Sequence, residues 1–314
     1  MATLAAAPPG ALIDPRALMT IRSLELRARA VVEGFWSGLH RSPYHGFSVE
    51  FTEYRQYTPG DDPRHVDWRV FARSDRFYLR KYEDETNLRV HLLADRSRSM
   101  EYGSAGITKA TYAATLAATL AYFLHQQGDA VGLTTFDEQV RDHLPPRHRT
   151  GHLRQLLHTL ERTAAGRATD LSVPFQHFSR LTAKRGLVLV LSDFLAPLER
   201  LGRDLLMLTA AGHEVAAFRV LDPAEPALGL GVPAMVEDVE SGRTLYIDPA
   251  QAREGYGRRF ARHREELRGI TARLGVMLHE VRTDEPLELA LFSFLQARAR
   301  RGRLVRRATG GGGG

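Results

Sequence analysis

Three polar side chains, Asp95, Ser97 and Ser99, directly follow a short apolar run at residues 88–93. The run predicts a β-strand, and in an extended chain alternate side chains lie on the same side. One carboxylate and two hydroxyls can therefore converge where the strand ends. Such hard oxygen ligands suit Mg²⁺ or Mn²⁺, so this segment is a candidate metal site.

Two further oxygen ligands follow along the chain. A second apolar run, residues 187–191, leads to Asp193, and Thr169 lies between the two runs in a loop before a predicted helix. If both strands are parallel, their carboxyl ends meet at one edge of the sheet. A simpler interpretation stays open for the first segment, because Asp and Ser after a strand also form turns and helix N-caps. The candidate metal ligands are Asp95, Ser97, Ser99, Thr169 and Asp193.

The order of these five residues resembles the metal-ion-dependent adhesion site of von Willebrand factor A domains, with its D-x-S-x-S, distant Thr and later Asp. The resemblance implies that Ser97, Ser99 and Thr169 bind the metal directly and that the two aspartates act mostly through water. It also implies one open coordination position, which would take an acidic side chain of a protein partner. Arg96 and Arg98, beside the site, would add long-range attraction for an acidic surface.

The segments around these residues alternate between strand and helix patterns. The order of strand, helix and strand is typical of right-handed crossovers in a mostly parallel sheet. We predict helices at 108–127, 152–162, 171–182, 198–211, 249–274 and 287–301, strands at 130–136, 187–191, 214–221 and 276–281, and a hairpin at 235–247. The expected fold is therefore α/β, with a doubly wound, mostly parallel sheet that is Rossmann-like and von Willebrand factor A-like.

The chain divides into three parts by pattern. Residues 1–86 differ from the rest and are predicted to form an α+β extension, with a helix at 15–33, a loop at 34–46 and strands at 47–51 and 76–82. Residues 87–305 are predicted to form the von Willebrand factor A-like domain. Residues 306–314 end in five glycines and are expected to be a flexible tail, because glycine runs lose much backbone entropy on ordering.

The N-terminal part carries a more specific pattern. It contains G-x-H-x-S from Gly38 to Ser42, R-x-Y-x-x-G-D-D-P-R-x-x-D-W-R-x-x-A-R from Arg55 to Arg73, and Tyr82-Glu83-Asp84-Glu85. These motifs resemble the bacterial family called domain of unknown function 58. The resemblance implies a von Willebrand factor A-like domain and a MoxR-type AAA+ ATPase as the partner.

The acidic residues of this pattern could also suggest a second metal cluster. They alternate with arginines, so we expect ion pairs that attach the N-terminal part to the sheet. The acidic residues in question are Asp61, Asp62, Asp67, Glu83 and Glu85.

Composition limits the possible functions. The chain has 314 residues, 43% hydrophobic and 25% charged, which is typical of a globular protein. It contains no cysteine, which excludes thiolate metal sites and disulfides. We expect a cytoplasmic protein without a membrane span, because no secretory signal or long apolar stretch is evident. The net charge is +6, but no nucleic-acid-binding motif accompanies the arginines, so nucleic acid is not an expected partner.

These patterns favour a binding module over an enzyme. The hypothesis is a metal-dependent protein-interaction module that acts as an adaptor or scaffold with a MoxR-type ATPase. The alternative is a Mg²⁺-dependent phosphatase or nuclease, although a second acid and a general base are missing. His148 and His152 are four residues apart, but Gly151 between them favours a surface loop over a zinc site.

Overall fold

The computed structural model describes residues 12–41, 53–56, 78–81, 88–162, 172–181, 184–229, 232–237 and 244–310. Its α-helices are α1 (Pro15–Met19), α2 (Leu24–Arg41), α3 (Lys109–Gln126), α4 (Thr150–Glu161), α5 (Ser172–Leu181), α6 (Leu198–Ala210), α7 (Pro249–Arg273) and α8 (Leu287–Gly310). Its strands are β1 (Glu53–Gln56), β2 (Tyr78–Lys81), β3 (Arg89–Asp95), β4 (Ala130–Phe136), β5 (Val140–Arg147), β6 (Leu187–Ser192), β7 (Glu214–Leu221), β8 (Ala234–Glu237), β9 (Thr244–Ile247) and β10 (Met277–Arg282).

A six-stranded sheet with the order β10-β7-β6-β3-β4-β5 forms the centre of the fold. The pairs from β10 to β4 are parallel, and only the edge strand β5 runs antiparallel, against β4. From β3 the chain adds β4 and β5 on one side of the sheet, and it then adds β6, β7 and β10 on the other side. The predicted doubly wound, mostly parallel sheet is confirmed. In such a sheet the crevice for ligands lies where the strand order reverses, outside the carboxyl ends of β3 and β6.

Helices cover both faces of this sheet, which explains why its central strands are apolar on both sides. On one face Leu92 and Leu189 pack with residues of α1, α2, α3, α4 and α8. On the other face Leu93 and Val190 pack with residues of α5, α6 and α7. Because neighbouring residues of a strand point to opposite faces, adjacent apolar residues such as Leu92 and Leu93 supply both cores at once.

The N-terminal helices belong to the first of these cores. Val31, Val32 and Phe35 of α2 are buried, and the Phe35 ring lies edge-on to Phe123 of α3, with 6.0 Å between the ring centroids. Of the predicted extension, the structure also describes β1 and β2, which pair antiparallel. The motif residues between β1 and β2, the acidic residues within it and the tetrapeptide after β2 lie outside the described residues.

Several elements differ from the sequence prediction. The predicted helix at 15–33 is two helices, and the second continues to Arg41, through most of the predicted loop. Strand β5 was not predicted, because it contains two prolines that suit only a sheet edge. Helix α8 continues to Gly310 and so includes the first residues of the predicted tail. Within the described part of the chain, no helix has the length and apolar character needed to cross a membrane.

Candidate metal centre

The candidate site lies at the carboxyl edge of the sheet, at the ends of β3 and β6. Asp95 is the last residue of β3, and Asp193 directly follows β6. The parallel register pairs Ala94 with Leu191, which brings the next residues, Asp95 and Ser192, side by side. Ser192 Oγ donates a hydrogen bond to Asp95 Oδ2 at 2.5 Å. Strand register therefore determines the surroundings of the first aspartate.

The loop after β3 brings two hydroxyls together. Ser97 N donates to Asp95 Oδ1 at 2.9 Å, and a short 3₁₀-helix, Arg98–Glu101, begins directly after Ser97. The Oγ atoms of Ser97 and Ser99 are 3.1 Å apart, and both side chains are buried. The loop thus gathers two buried hydroxyls next to a buried carboxylate.

The intervening arginines lie away from this group. Arg98 is exposed, and Arg96 donates a hydrogen bond to the backbone carbonyl of Leu160 at the end of α4. The Arg96 guanidinium is therefore engaged with the neighbouring helix. Both arginines were expected to attract an acidic partner. Arg98 is exposed to solvent, whereas Arg96 is partly buried.

Asp95 is a buried carboxylate whose hydrogen-bond donors, among the residues that the structure describes, are uncharged. Burial, and then the nearby charge of Asp193, raise the pKa of Asp95 to about 7, although hydrogen bonds from Ser192 and Ser97 act in the opposite direction. A buried carboxylate is stable as an anion only when positive charge compensates it. The oxygen donors here and this uncompensated charge are the chemistry that Mg²⁺ or Mn²⁺ prefers, so the residues present fit such an ion.

Asp193, in contrast, has a cationic partner that the sequence analysis missed. Lys109 Nζ lies 2.8 Å from Asp193 Oδ2 and 2.6 Å from Glu225 Oε1, and its side chain is 1% exposed. Burial by itself lowers the pKa of Lys109, but the two carboxylates together raise it above the usual value. One signal was available: Lys109 is the only Asp, Glu, Lys or Arg in the sequence of α3.

A second set of bonds links the loops after β3 and β7. Glu225 Oε2 accepts a hydrogen bond from Asp222 N at 2.8 Å. Asp222 in turn accepts from Ser104 N at 2.8 Å and from Ser104 Oγ at 2.5 Å, and hydrogen bonding keeps the pKa of Asp222 low despite burial. These bonds fix Glu225, so both carboxylate partners of Lys109 are held in position.

The backbone after Asp193 adopts an unusual conformation. Phe194 has φ +56°, in the left-handed region that bulky residues rarely enter, and its side chain is fully buried. Phe194 N donates to Ser192 Oγ at 3.0 Å, and Leu195 N donates to Asp193 Oδ1 at 3.1 Å. Such a conformation costs about 1–3 kcal/mol and persists only when surrounding contacts impose it, which is common at functional sites.

The predicted ligands can now be assigned positions. Asp95, Ser97 and Ser99 form one group, and Asp193 follows the neighbouring strand with Lys109 against it; Thr169 lies outside the described residues. Within the described ranges, no group of three or more His, Asp or Glu side chains could hold a metal ion. A cation at this edge would therefore depend on hydroxyl oxygens as well as carboxylates.

The two histidines considered for zinc make separate contacts. The Nε2 atom of His148 lies 3.1 Å from the His125 carbonyl oxygen, and that of His152 lies 3.0 Å from the Val131 carbonyl oxygen. Each ring is thus engaged with a backbone carbonyl, and Gly151 and His152 lie in α4 and not in the predicted surface loop.

Comparison with known proteins gives one family match. The family model described as "Protein of unknown function DUF58" matches residues 53–266. The uncharacterized protein Rv1480 of Mycobacterium tuberculosis (strain ATCC 25618 / H37Rv) is 31% identical over 301 residues, covering 94% of each chain. The uncharacterized protein Mb1516 of Mycobacterium bovis matches with the same identity and coverage.

Solved structures give more distant similarities. A conserved hypothetical protein, BatB from Bacteroides thetaiotaomicron, aligns with a TM-score of 0.45 at 15% identity, covering 68% of this chain and 99% of that chain. The VWA domain of SpRpn10 aligns with a TM-score of 0.39 at 12% identity, covering 65% of this chain and 93% of that chain.

Proposed function

The chain belongs to the DUF58 family of proteins of unknown function, and from this premise and the geometry of the sheet edge we propose a metal-dependent protein-interaction module. In this proposal the protein acts as an adaptor or scaffold, not as an enzyme. Its cation is Mg²⁺ or Mn²⁺, held by Asp95, Ser97, Ser99, Thr169 and Asp193. Its partner is a protein that offers an acidic side chain.

One observation supports the proposal most directly. Two buried hydroxyls, Ser97 and Ser99, have their oxygens 3.1 Å apart beside Asp95, a buried carboxylate that has no cationic hydrogen-bond partner in the described part of the chain. A purely structural turn would not need to bury an uncompensated carboxylate, since Asn forms the same turn at lower cost. A divalent cation would compensate this charge and use the hydroxyl oxygens.

The same donor set suggests what the cation would do. When bound, a cation with mostly neutral direct ligands supplies a Lewis-acidic position that attracts a carboxylate. This chain's own residues orient the site: Ser192 and Ser97 N hold the Asp95 carboxylate, and the turn at Phe194 holds Asp193. The proposed partner is a MoxR-type AAA+ ATPase, which the family resemblance suggests and which the experiment below tests.

Metal binding is tested by calorimetric titration of the purified protein with Mg²⁺ and with Mn²⁺. We expect saturable binding by the wild type and loss of binding in a Ser97→Ala, Ser99→Ala double variant. The matched control is Arg98→Ala, since Arg98 lies in the same loop but is exposed. Equal affinity in the wild type and the double variant would show that the proposed ligands do not hold the metal.

Partner binding is tested with a purified MoxR-type ATPase in Mg²⁺ and in EDTA. We expect the complex to form only with the cation and to be lost in an Asp95→Ala variant. Equal binding in EDTA would remove the metal from the interaction. Hydrolysis of a generic phosphate ester that depends on Mg²⁺ and on Asp95 would instead favour the phosphatase alternative.

A further inference from the structure

Lys109 is a buried cation beside the proposed metal site. Its side chain is 1% exposed, and its ammonium contacts Asp193 at 2.8 Å and Glu225 at 2.6 Å. Burying an ammonium is costly unless charged partners surround it. The lysine is also the first residue of α3, where a cation is disfavoured by the helix dipole. The residue therefore occupies a costly position, which the two described carboxylate partners compensate.

The carboxylates at this edge differ in how far positive charge compensates them. Asp193 and Glu225 share one ammonium, whereas among the described residues the hydrogen-bond donors to Asp95 are the uncharged groups of Ser97 and Ser192. A divalent cation bound at Asp95 would thus meet an Asp193 whose charge is already partly balanced. Fewer uncompensated carboxylates mean weaker attraction for the metal, but they also leave more of its charge for an incoming carboxylate.

We infer that Lys109 is a built-in counter-cation of the site, which limits metal affinity by neutralising Asp193 and Glu225. This inference rests on the proposed function, because it assigns Lys109 a role toward the proposed metal. Lys109 acts through Asp193 and is a positioning residue. The ammonium and the divalent cation compete for the negative charge of the same aspartate.

The test compares Mg²⁺ affinity, measured by calorimetry, between the wild type and two variants with opposite expected effects. Lys109→Met removes the ammonium and keeps an unbranched side chain one atom shorter, so both carboxylates become available. We expect Mg²⁺ affinity to rise about tenfold or more, since an opposite charge at this range commonly shifts an ionic equilibrium by one to three powers of ten. A merely structural lysine would give the reverse result, because disturbing its neighbours would weaken metal binding.

Glu225→Gln is the second variant and retains an oxygen that can accept from Asp222 N. With one carboxylate fewer, the ammonium pairs with Asp193 alone, and we expect Mg²⁺ to bind severalfold more weakly. This variant keeps the inference testable if Lys109→Met does not fold without metal. Arg98→Met is the matched control, because it removes an exposed positive charge and should leave the affinity unchanged.

The outcomes separate this inference from the proposed function. If the wild type binds Mg²⁺ but neither variant changes the affinity, the role of Lys109 is overturned and the metal site stands. If only Lys109→Met binds Mg²⁺, the counter-cation role is supported and the proposed function of the wild type fails. If none of the proteins binds Mg²⁺, both are overturned.

Discussion

The carboxyl edge of the sheet and the interior of the same sheet treat buried polar side chains in opposite ways. At the edge, the buried side chains of Asp193 and Lys109 form an ion-paired group with the partly buried Glu225. In the interior, burial lowers the pKa of His91 in β3 to about 3 and that of His279 in β10 to about 4. The interior histidines are therefore neutral at pH 7, whereas the edge contains an ion-paired ammonium.

This contrast between interior and edge indicates which part of the sheet uses charged side chains. His91 lies edge-on to Phe178 at 4.7 Å, and His279 stacks on Phe218 at 5.0 Å, so both rings act as aromatic packing. A core needs no charge for this. Packed apolar residues would often serve stability as well as a buried ion pair does, so a retained pair at the edge suggests a role beyond stability.

The largest expected effect on stability comes from removing the Lys109 ammonium at the sheet edge. Lys109→Met should lower the free energy of unfolding by about 3–5 kcal/mol at neutral pH without metal, because the buried carboxylate of Asp193 and the partly buried one of Glu225 lose their partner. His91→Leu, the interior counterpart, should change it by less than about 1.5 kcal/mol, because one packed side chain replaces another. Urea denaturation measures both. Similar losses in the two variants would remove the contrast between edge and interior.

The two interior histidines should make the free energy of unfolding depend on pH. A histidine whose folded pKa lies below its unfolded value of 6.5 contributes stability that is complete above pH 6.5 and is lost as pH falls toward pH 3–4. At pH 5, each of His91 and His279 should cost about 2 kcal/mol of unfolding free energy relative to neutral pH. Denaturation curves from pH 7 to pH 5 measure this, and His91→Leu should flatten the dependence.

A smaller effect separates the two aspartates of the edge. Asp95→Asn should change metal-free stability by at most about 1 kcal/mol, because the amide can replace a carboxylate whose hydrogen-bond donors are uncharged. It should also abolish the rise in melting temperature on adding Mg²⁺. Asp193→Asn should destabilise the metal-free protein, since it leaves Lys109 with one carboxylate. Equal behaviour of the two variants in thermal denaturation would contradict the assigned charge distribution.

The smallest expected effect is a change in association rate caused by the exposed Arg98 beside the site. Arg98→Ala should slow association with an acidic partner a fewfold at low salt and have no effect at about 1 M salt, where the Debye length is about 3 Å. Association rates measured at both ionic strengths test this. A loss of affinity that persists at high salt would mean that Arg98 makes a direct contact instead of providing long-range attraction.

The sequence by itself determined the layered α/β fold. Runs such as residues 187–191, apolar at every position, fit only a strand covered on both faces, and they alternate with helices. Predicted strands β4 and β7 match the observed bounds, because each run is long and uninterrupted. The polar residues after β3 and β6 could be assigned to one edge for the same reason. These inferences depend on local pattern and on a general rule of parallel sheets.

The local sequence pattern did not predict the elements that are stabilised by contacts with distant parts of the chain. Strand β5 pairs with β4 despite its prolines, because an edge strand needs hydrogen bonds on one side only. Helix α2 continues through a predicted loop, and packing of Trp36 on Phe123, with ring centroids 5.7 Å apart, accompanies this continuation. In both cases tertiary contacts outweighed the intrinsic preference of the segment.

The charge balance of the candidate site was decided only by the tertiary structure. Lys109 and Asp193 are 84 positions apart, and Lys109 and Glu225 are 116 apart, so no spacing rule relates them. They meet because α3 begins at the same sheet edge at which β6 and β7 end. Sequence can indicate which oxygens converge at the end of a strand. Which carboxylate already has a cation depends on distances between elements, because Coulomb attraction acts through space and not along the chain.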